Sequence, residues 1–177
     1  MDIEIEDIAL GLARNTRWNG QTKGAHGWSV AQHSDFVVDI VRQLDPKARP
    51  DVLMAAQLHD ASEYVTHDLV TPLKAVVGDV FKEVEARLLQ AIRLRFGLPA
   101  ELPEPQKQLI KRADLIAGAT EAVQLAGFTE QETKKVLGFR EKPLKDVILV
   151  PVPVAEAEDA FLKSFRALEA VMILQKR

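Results

Sequence analysis

The chain has 177 residues, of which 47% are apolar, so a single domain of this length can bury a substantial hydrophobic core. The formal net charge is −3 and both signs are interspersed, which excludes the strongly basic surface typical of nucleic-acid binding. The absence of cysteine excludes disulfides, thiolate zinc sites and a cysteine nucleophile.

The hydropathy pattern gives no sign of export or of membrane insertion. The first ten residues, MDIEIEDIAL, are acidic where a signal peptide is basic, and no apolar run approaches the length of a membrane span. We therefore expect one soluble domain over residues 1–177, located in the cytoplasm, with no membrane partner and no nucleic-acid partner.

Apolar residues recur at helical spacing through most of the chain, and strand signals are sparse. The sequence therefore predicts an all-α bundle of about seven helices. The predicted helices cover approximately 3–14, 29–44, 52–58, 72–96, 106–126, 129–138 and 156–175. The glycine-containing segment 15–28 is predicted to be a loop, and 146–154, with its alternating prolines, an extended crossing segment.

Two of the predicted helices begin with capping-box signatures, Ser29 with Gln32 and Thr129 with Glu132. The helix after residue 72 could be interrupted near Gly78, and an apolar stripe along it predicts the side that faces the core. This stripe consists of Val80, Val84, Leu88, Leu89, Ile92 and Phe96.

Four residues from separate predicted helices form a possible metal-binding set: His33, the adjacent pair His59 and Asp60, and Asp114. Two imidazoles and two carboxylates suit a divalent transition ion, and such a set leaves positions open for water and substrate. Taken singly, each residue also has a simpler interpretation. A lone inward histidine is more often a hydrogen-bonded core residue, and a lone helical aspartate is usually solvated.

Longer strings surround these four residues, and they resemble the H…HD…D signature of the HD superfamily of metal-dependent phosphohydrolases. The strings are AQHS around His33, LHDASE around His59 and Asp60, and KRAD ending at Asp114.

The match is closer to the bacterial 5′-deoxynucleotidase branch of that superfamily. The branch pattern is present as RW at Arg17 and Trp18, HS at His33, and HDASE-x-x-T-x-DL-x-TP-x-K from His59 to Lys74. This resemblance covers residues 15–75 and the Asp114 helix, about half of the chain. The segment between Asp60 and Asp114 is shorter than in those enzymes, and the C-terminal third does not align with them.

The resemblance implies a role for each matched residue. His33, His59, Asp60 and Asp114 would bind one divalent ion, namely Co²⁺, Mn²⁺, Zn²⁺, Ni²⁺ or Fe²⁺, with Mg²⁺ also allowed. Further roles fall to a second set of residues. Glu63 and Asp68 would be the catalytic carboxylates, Arg17 would bind phosphate, Trp18 would pack near the sugar or base, and Thr71 and Lys74 would help to hold phosphate.

Some of these roles keep a simpler alternative. Trp18 could be a hydrophobic plug for its loop, Lys74 a solvated charge, and Glu63 one partner of an ion pair on a helix surface. His26 and His67 match nothing in the motif, and we interpret them as bystanders.

The implied function is hydrolysis of a deoxyribonucleoside 5′-monophosphate to deoxynucleoside and phosphate. Compact relatives of this branch remove triphosphate from dATP, so a dNTP triphosphohydrolase is the first alternative. An inactive HD module that binds nucleotide or metal is an alternative of another class. The resemblance also implies self-association, as a homodimer or a larger assembly.

Overall fold

A computed structural model describes residues 3–69, 73 and 76–175. Within these residues the fold is all-helical, as predicted, with eight α-helices, no β-strand and a single isolated bridge between Thr16 and Ser29. The helices are α1 Ile5–Arg14, α2 Val30–Leu44, α3 Pro50–Gln57, α4 Glu63–Thr66, α5 Asp79–Arg95, α6 Glu104–Gln124, α7 Glu130–Lys135 and α8 Val154–Gln175. A short 3-10 helix, Arg17–Gly20, follows α1.

Helix α2 is the centre of the bundle, because it packs against α1, α3, α6 and α8. Its apolar positions, including Val37, Ile40 and Val41, are fully or almost fully buried. The long C-terminal helix α8 closes the other side, and its Phe161 and Phe165 are completely buried against α1 and α3. Burial of this apolar surface is what makes the helices stable as a group.

Helices α1 and α4 pack unusually closely at Gly11. A Cβ atom added at Gly11 would lie 2.8 Å from the Cβ of Tyr64 and 3.2 Å from its backbone. Because neither atom belongs to the free end of a side chain, the contact requires glycine. This close packing places α4, which begins at Glu63, beside the end of α1.

Both predicted capping residues cap their helices, but only one of the two signatures forms a complete capping box. Thr129 and Glu132 form a complete capping box at the start of α7. Ser29 also caps α2 by accepting a hydrogen bond from the Gln32 amide, 3.2 Å away. The Gln32 side chain, however, turns to the segment before α8, where it donates a hydrogen bond to the Val150 carbonyl and accepts one from the Val152 amide.

The apolar stripe predicted along α5 is wrong at its start but holds at its end, where Leu88, Leu89 and Phe96 are half-buried. Val80 and Val84 are exposed, at 74% and 45%, and only Ile92 in this helix is buried. The spacing correctly indicated an amphipathic helix, but no described helix covers its first turns. None of the helices in the described ranges has both the length and the apolarity needed to cross a membrane.

Candidate metal centre

The structure brings His33, His59, Asp60 and Asp114 together from three parts of the chain. His33 projects from the first turns of α2 and is completely buried. His59 and Asp60 lie in the turn between α3 and α4, and Asp114 lies in the middle of α6. Extensive packing of α2 on α6 and α3 is therefore what assembles the cluster.

The donor atoms of this cluster converge closely. The Nε2 atoms of His33 and His59 are 3.3 Å apart. The Asp60 Oδ2 atom lies 3.6 Å from the first and 3.2 Å from the second. The Asp114 Oδ1 atom lies 3.3 Å and 3.9 Å from the same two nitrogens. The ligand atoms of His33, His59 and Asp60 all fall within 4.8 Å of one another, so these three residues could hold a metal ion.

The hydrogen bonds made by the opposite ring nitrogens fit this interpretation. His59 Nδ1 is 2.8 Å from the Ala56 carbonyl oxygen, and His33 Nδ1 is 2.6 Å from Oε1 of Glu121. Both oxygens accept, so each Nδ1 carries a proton and donates it. Each neutral ring then directs the lone pair of its Nε2 atom towards the other ring and the carboxylates. Such a set of electron donors could hold a cation, and this pattern is typical of metal-binding histidines.

Without an ion, a proton on His33 offsets part of the negative charge of the cluster. Burial and the Arg17 charge disfavour protonation of His33, but Glu121 and Asp114 outweigh both and raise the pKa of His33 from 6.5 to about 9. Burial favours the neutral form of Asp60, yet the charge and hydrogen bond of His59 lower the pKa of Asp60 below its usual range. Burial acts in the same way on Asp114, but His33 and His59 lower its pKa as well.

Glu121 is the most important residue that the sequence analysis missed. It is completely buried in α6 and accepts hydrogen bonds from three side chains. The donors are His33 Nδ1 at 2.6 Å, Arg17 Nε at 2.9 Å and Trp18 Nε1 at 3.0 Å. Burial favours the neutral acid, but Arg17 and His33 outweigh burial and hold the pKa of Glu121 well below its usual range. The available signal was an acidic residue two helical turns after Asp114, inside the apolar run IAGATEAV.

Arg17 lies inside the site, with 14% of its side chain exposed. Besides its bond to Glu121, its Nη1 atom is 3.6 Å from Asp60 Oδ2 and 3.9 Å from Asp68 Oδ2. Burial disfavours its charge, but Glu121, Asp68 and Asp60 outweigh burial and raise the pKa of Arg17. Arg17 therefore lies beside the ligand candidate Asp60, and the predicted catalytic residue Asp68 lies beside Arg17.

The positions of Trp18 and Glu63 are also informative. Trp18 donates to Glu121 and packs against Phe128, with ring centroids 6.0 Å apart, so it anchors its loop whether or not it contacts a substrate. Glu63 begins α4 and is only 3% exposed, so its side chain is buried rather than solvated on the helix surface. Thr71 and Lys74, predicted to help hold phosphate, lie outside the described residues.

A cleft of about 280 Å³ opens at the metal-binding cluster. It is lined by His59, Asp60, Asp114, Arg93, Lys107, Lys111, Leu102 and Ile110. Three of the four predicted ligands, His59, Asp60 and Asp114, therefore line the cleft, whereas His33 and Glu121 are completely buried.

Comparison with known proteins found two bacterial relatives, both uncharacterized. The chain is 50% identical over 138 residues to the uncharacterized protein RCAP_rcc00048 of Rhodobacter capsulatus; the alignment covers 78% of this chain and 70% of that protein. It is 36% identical over 120 residues to the uncharacterized protein YfdR of Escherichia coli, covering 68% of this chain and 60% of that protein. No family model matches the chain. The chain belongs to the same family as the Rhodobacter capsulatus protein.

The raised pKa of His33 leads to a prediction about how the free energy of unfolding depends on pH. Its pKa in the folded, ion-free chain is about 9, above the ordinary 6.5 of the unfolded chain. The stabilisation that protonated His33 gives the folded chain is therefore complete below pH 6.5 and is lost as the pH rises through 9. We expect the free energy of unfolding of chelator-treated protein to fall by up to about 3 kcal/mol across this window, measured by urea denaturation. His26→Gln, at an exposed histidine, should keep this pH dependence and His33→Gln should lose it. A flat profile in the unchanged chain would contradict the assignment.

Removal of the Glu121 charge should destabilise the fold strongly. Glu121→Gln keeps the shape of the side chain but leaves the buried Arg17 guanidinium without its closest counter-charge, at a cost of about 3 to 5 kcal/mol in the free energy of unfolding. Glu6→Gln is the matched control, since Glu6 pairs with Arg166 at 2.9 Å on the surface and should lose no more than about 1 kcal/mol. Equal losses in the two variants, measured by denaturation, would show that Glu121 does not carry this network.

Proposed function

We propose that this protein is a metal-dependent phosphohydrolase of the HD superfamily that acts on deoxyribonucleotides. The observation that carries the proposal is the convergence of two histidine Nε2 atoms and two aspartates beside a cleft that three of these four residues line. These are the residues of the H…HD…D signature, and they come from sequence positions far apart. The first candidate substrate is a deoxyribonucleoside 5′-monophosphate, because the RW and HDASE…TP-x-K strings resemble the 5′-deoxynucleotidase branch.

The donor set fits a divalent transition ion, which His33, His59, Asp60 and Asp114 would hold. When bound, such an ion supplies Lewis acidity towards a phosphoryl oxygen and the attacking water. Hydrolysis then adds water across the P–O5′ bond, so one proton must leave the water and one must reach the departing oxygen. Glu63, a buried carboxylate four residues after His59, is the residue that we assign to accept the proton of the water.

Arg17 and Asp68 would orient the reacting phosphate. Arg17 is held at Nε by Glu121, so its position is fixed before any ligand arrives. Its planar guanidinium is suited to phosphate oxygens. Asp68, 3.9 Å from Arg17 Nη1, would limit the rotation of that group.

A dNTP triphosphohydrolase is the second candidate, and a specific observation favours it. The cleft at the cluster is lined by Arg93, Lys107 and Lys111, which could contact phosphate groups beyond the first.

A product assay tests the proposed activity. Purified protein with Mn²⁺ or Co²⁺ should hydrolyse dAMP to phosphate, or dATP to triphosphate, and the product identifies the candidate. His59→Gln should abolish turnover because it removes a metal ligand, whereas His26→Gln, at an exposed histidine, should not. If the protein binds metal and nucleotide but turns over neither substrate, it is a binding module and the proposal is wrong.

The role of Glu63 can be separated from metal binding. Glu63→Gln preserves shape but cannot accept a proton, so kcat should fall by about 10²- to 10⁴-fold while the metal content is unchanged. Glu83→Gln, at an exposed glutamate of α5, is the control and should retain kcat. Metal content is measured by elemental analysis beside the kinetics. Near-normal kcat in Glu63→Gln would remove Glu63 from the catalytic step.

A further inference from the structure

An irregular segment of the chain, residues 144–152, is bound through its backbone by side chains of two helices. The structure assigns these residues to neither a helix nor a strand, and no backbone–backbone hydrogen bond joins them to any described residue. They lie in the C-terminal third of the chain, which the family resemblance does not cover. We call this segment the brace.

Helix α6 supplies three of the hydrogen bonds to the brace. The Thr120 hydroxyl accepts one from the Leu144 amide, whose nitrogen is 3.0 Å from Oγ1. The Gln124 side chain donates to the Val147 carbonyl at 2.9 Å and accepts from the Leu149 amide at 3.0 Å. These three bonds fix the first part of the brace to α6.

Helix α2 binds the second part of the brace through Gln32. The Gln32 side chain donates to the Val150 carbonyl at 3.0 Å and accepts from the Val152 amide at 3.3 Å. Gln32 and Gln124 therefore make the same pair of contacts, one as donor and one as acceptor, from two different helices. Because one continuous piece of backbone takes part in both pairs, the brace connects α2 to α6.

The residues that bind the brace are neighbours of the buried pair His33 and Glu121. Gln32 directly precedes His33 in α2, and Thr120 directly precedes Glu121 in α6. Gln124 comes three residues after Glu121, about one helical turn away. The bond between His33 Nδ1 and Glu121 Oε1, at 2.6 Å, joins the same two helices. The brace therefore connects α2 and α6 close to the metal-binding cluster.

The packing of α6 in this region shows why such a connection matters. Most of its buried residues here are small and bury little apolar area, which limits the hydrophobic stabilisation they provide. The small residues are Ala113, Ala117, Gly118, Ala119 and Ala122. The brace adds larger apolar side chains that pack against the core. These are Leu144, Val147, Leu149 and Val152.

We propose that the brace holds α2 and α6 at the separation that metal binding requires, and that Gln32 and Gln124 are positioning residues for the metal centre. A metal ion bound by His33 and Asp114 would join the same two helices, at donor atoms Nε2 and Oδ1 that are 3.3 Å apart. Helices that are already held in place lose less freedom on binding, so the affinity for the ion is higher. This inference rests on the metal-binding part of the proposed function and not on hydrolysis.

Zinc binding, measured by isothermal titration calorimetry on the full chain, tests the two glutamines. Gln32→Met and Gln124→Met keep an unbranched side chain of similar length but remove both hydrogen bonds to the brace. Each should weaken Zn²⁺ binding by about three- to tenfold. This is less than the roughly 10- to 100-fold typical for loss of a group that bonds a metal ligand directly, because the glutamines act one step further away.

Two further variants control for other effects. Gln108→Met removes an exposed glutamine of α6 that bonds Glu104 at 3.1 Å, and it should bind Zn²⁺ like the unchanged chain. Phe165→Leu destabilises the core at a completely buried ring that packs against Phe96, and it too should keep its Zn²⁺ affinity while folded. If Phe165→Leu weakens Zn²⁺ binding as much as the two glutamine variants do, the effect is one of overall stability and the inference is wrong.

A second measurement needs no substitution, because coupling between two sites is reciprocal. If the brace favours Zn²⁺ binding, then Zn²⁺ must disfavour opening of the brace. Hydrogen exchange of the Leu144, Leu149 and Val152 amides, measured by NMR, should slow by about three- to tenfold in saturating Zn²⁺. The Thr129 amide is the control, since it is also bonded by a side chain, that of Glu132 at 2.8 Å, and its exchange should not change. Unchanged exchange at the brace amides would overturn the inference even if a glutamine variant did not fold.

The outcomes separate this inference from the proposed function. If the unchanged chain binds no Zn²⁺, the metal centre and the role of the brace both fail. Zn²⁺ binding that neither glutamine variant weakens would refute the role of the brace alone. Zn²⁺ binding that is coupled to the brace, in a protein that hydrolyses no nucleotide, would leave that role standing and refute the phosphohydrolase.

Discussion

The buried carboxylate of Glu121 is the constraint on which the rest of the site depends. A charged group with no solvent exposure loses several kcal/mol of hydration, which only close counter-charges and hydrogen bonds can offset. Glu121 obtains them from Arg17, Trp18 and His33, which belong to a loop and to α2. Satisfying one buried charge therefore fixes the loop, orients the His33 ring and determines which of its nitrogens faces His59.

The same charge balance explains why the site could hold a cation. Asp60, Asp114 and Glu121 are acidic groups with low pKa values within a small volume, and Arg17 is the guanidinium that contacts Glu121 and approaches Asp60. In the ion-free chain the proton on His33 supplies further positive charge. A divalent ion would supply more positive charge and would displace that proton. Protonation of His33 and metal binding would therefore compete, since each offsets the charge of the same carboxylates.

The sequence predicted the all-helical class, most helix bounds, and the inward direction of His33, because these follow from local periodicity and capping. It also predicted which residues would meet His33, although from family resemblance rather than from periodicity. It did not predict Glu121, since its partners lie about a hundred residues away along the chain and a lone helical acid is ordinarily solvated. The exposure of Val80 and Val84 was missed for a related reason: periodicity shows that a helix has an apolar face but not whether another element covers it.

Arg17 shows how the closed and open sides of the site are connected. Its Nε atom is held on Glu121 at 2.9 Å, whereas its Nη1 atom lies 3.6 Å and 3.9 Å from Asp60 and Asp68, beyond hydrogen-bonding distance. One edge of the guanidinium is thus anchored, while the Nη1 group is attracted to two carboxylates without being hydrogen-bonded to either. Under the proposed function, a phosphate would compete for Nη1 without breaking the Glu121 bond. The buried network therefore fixes the Arg17 donor in place.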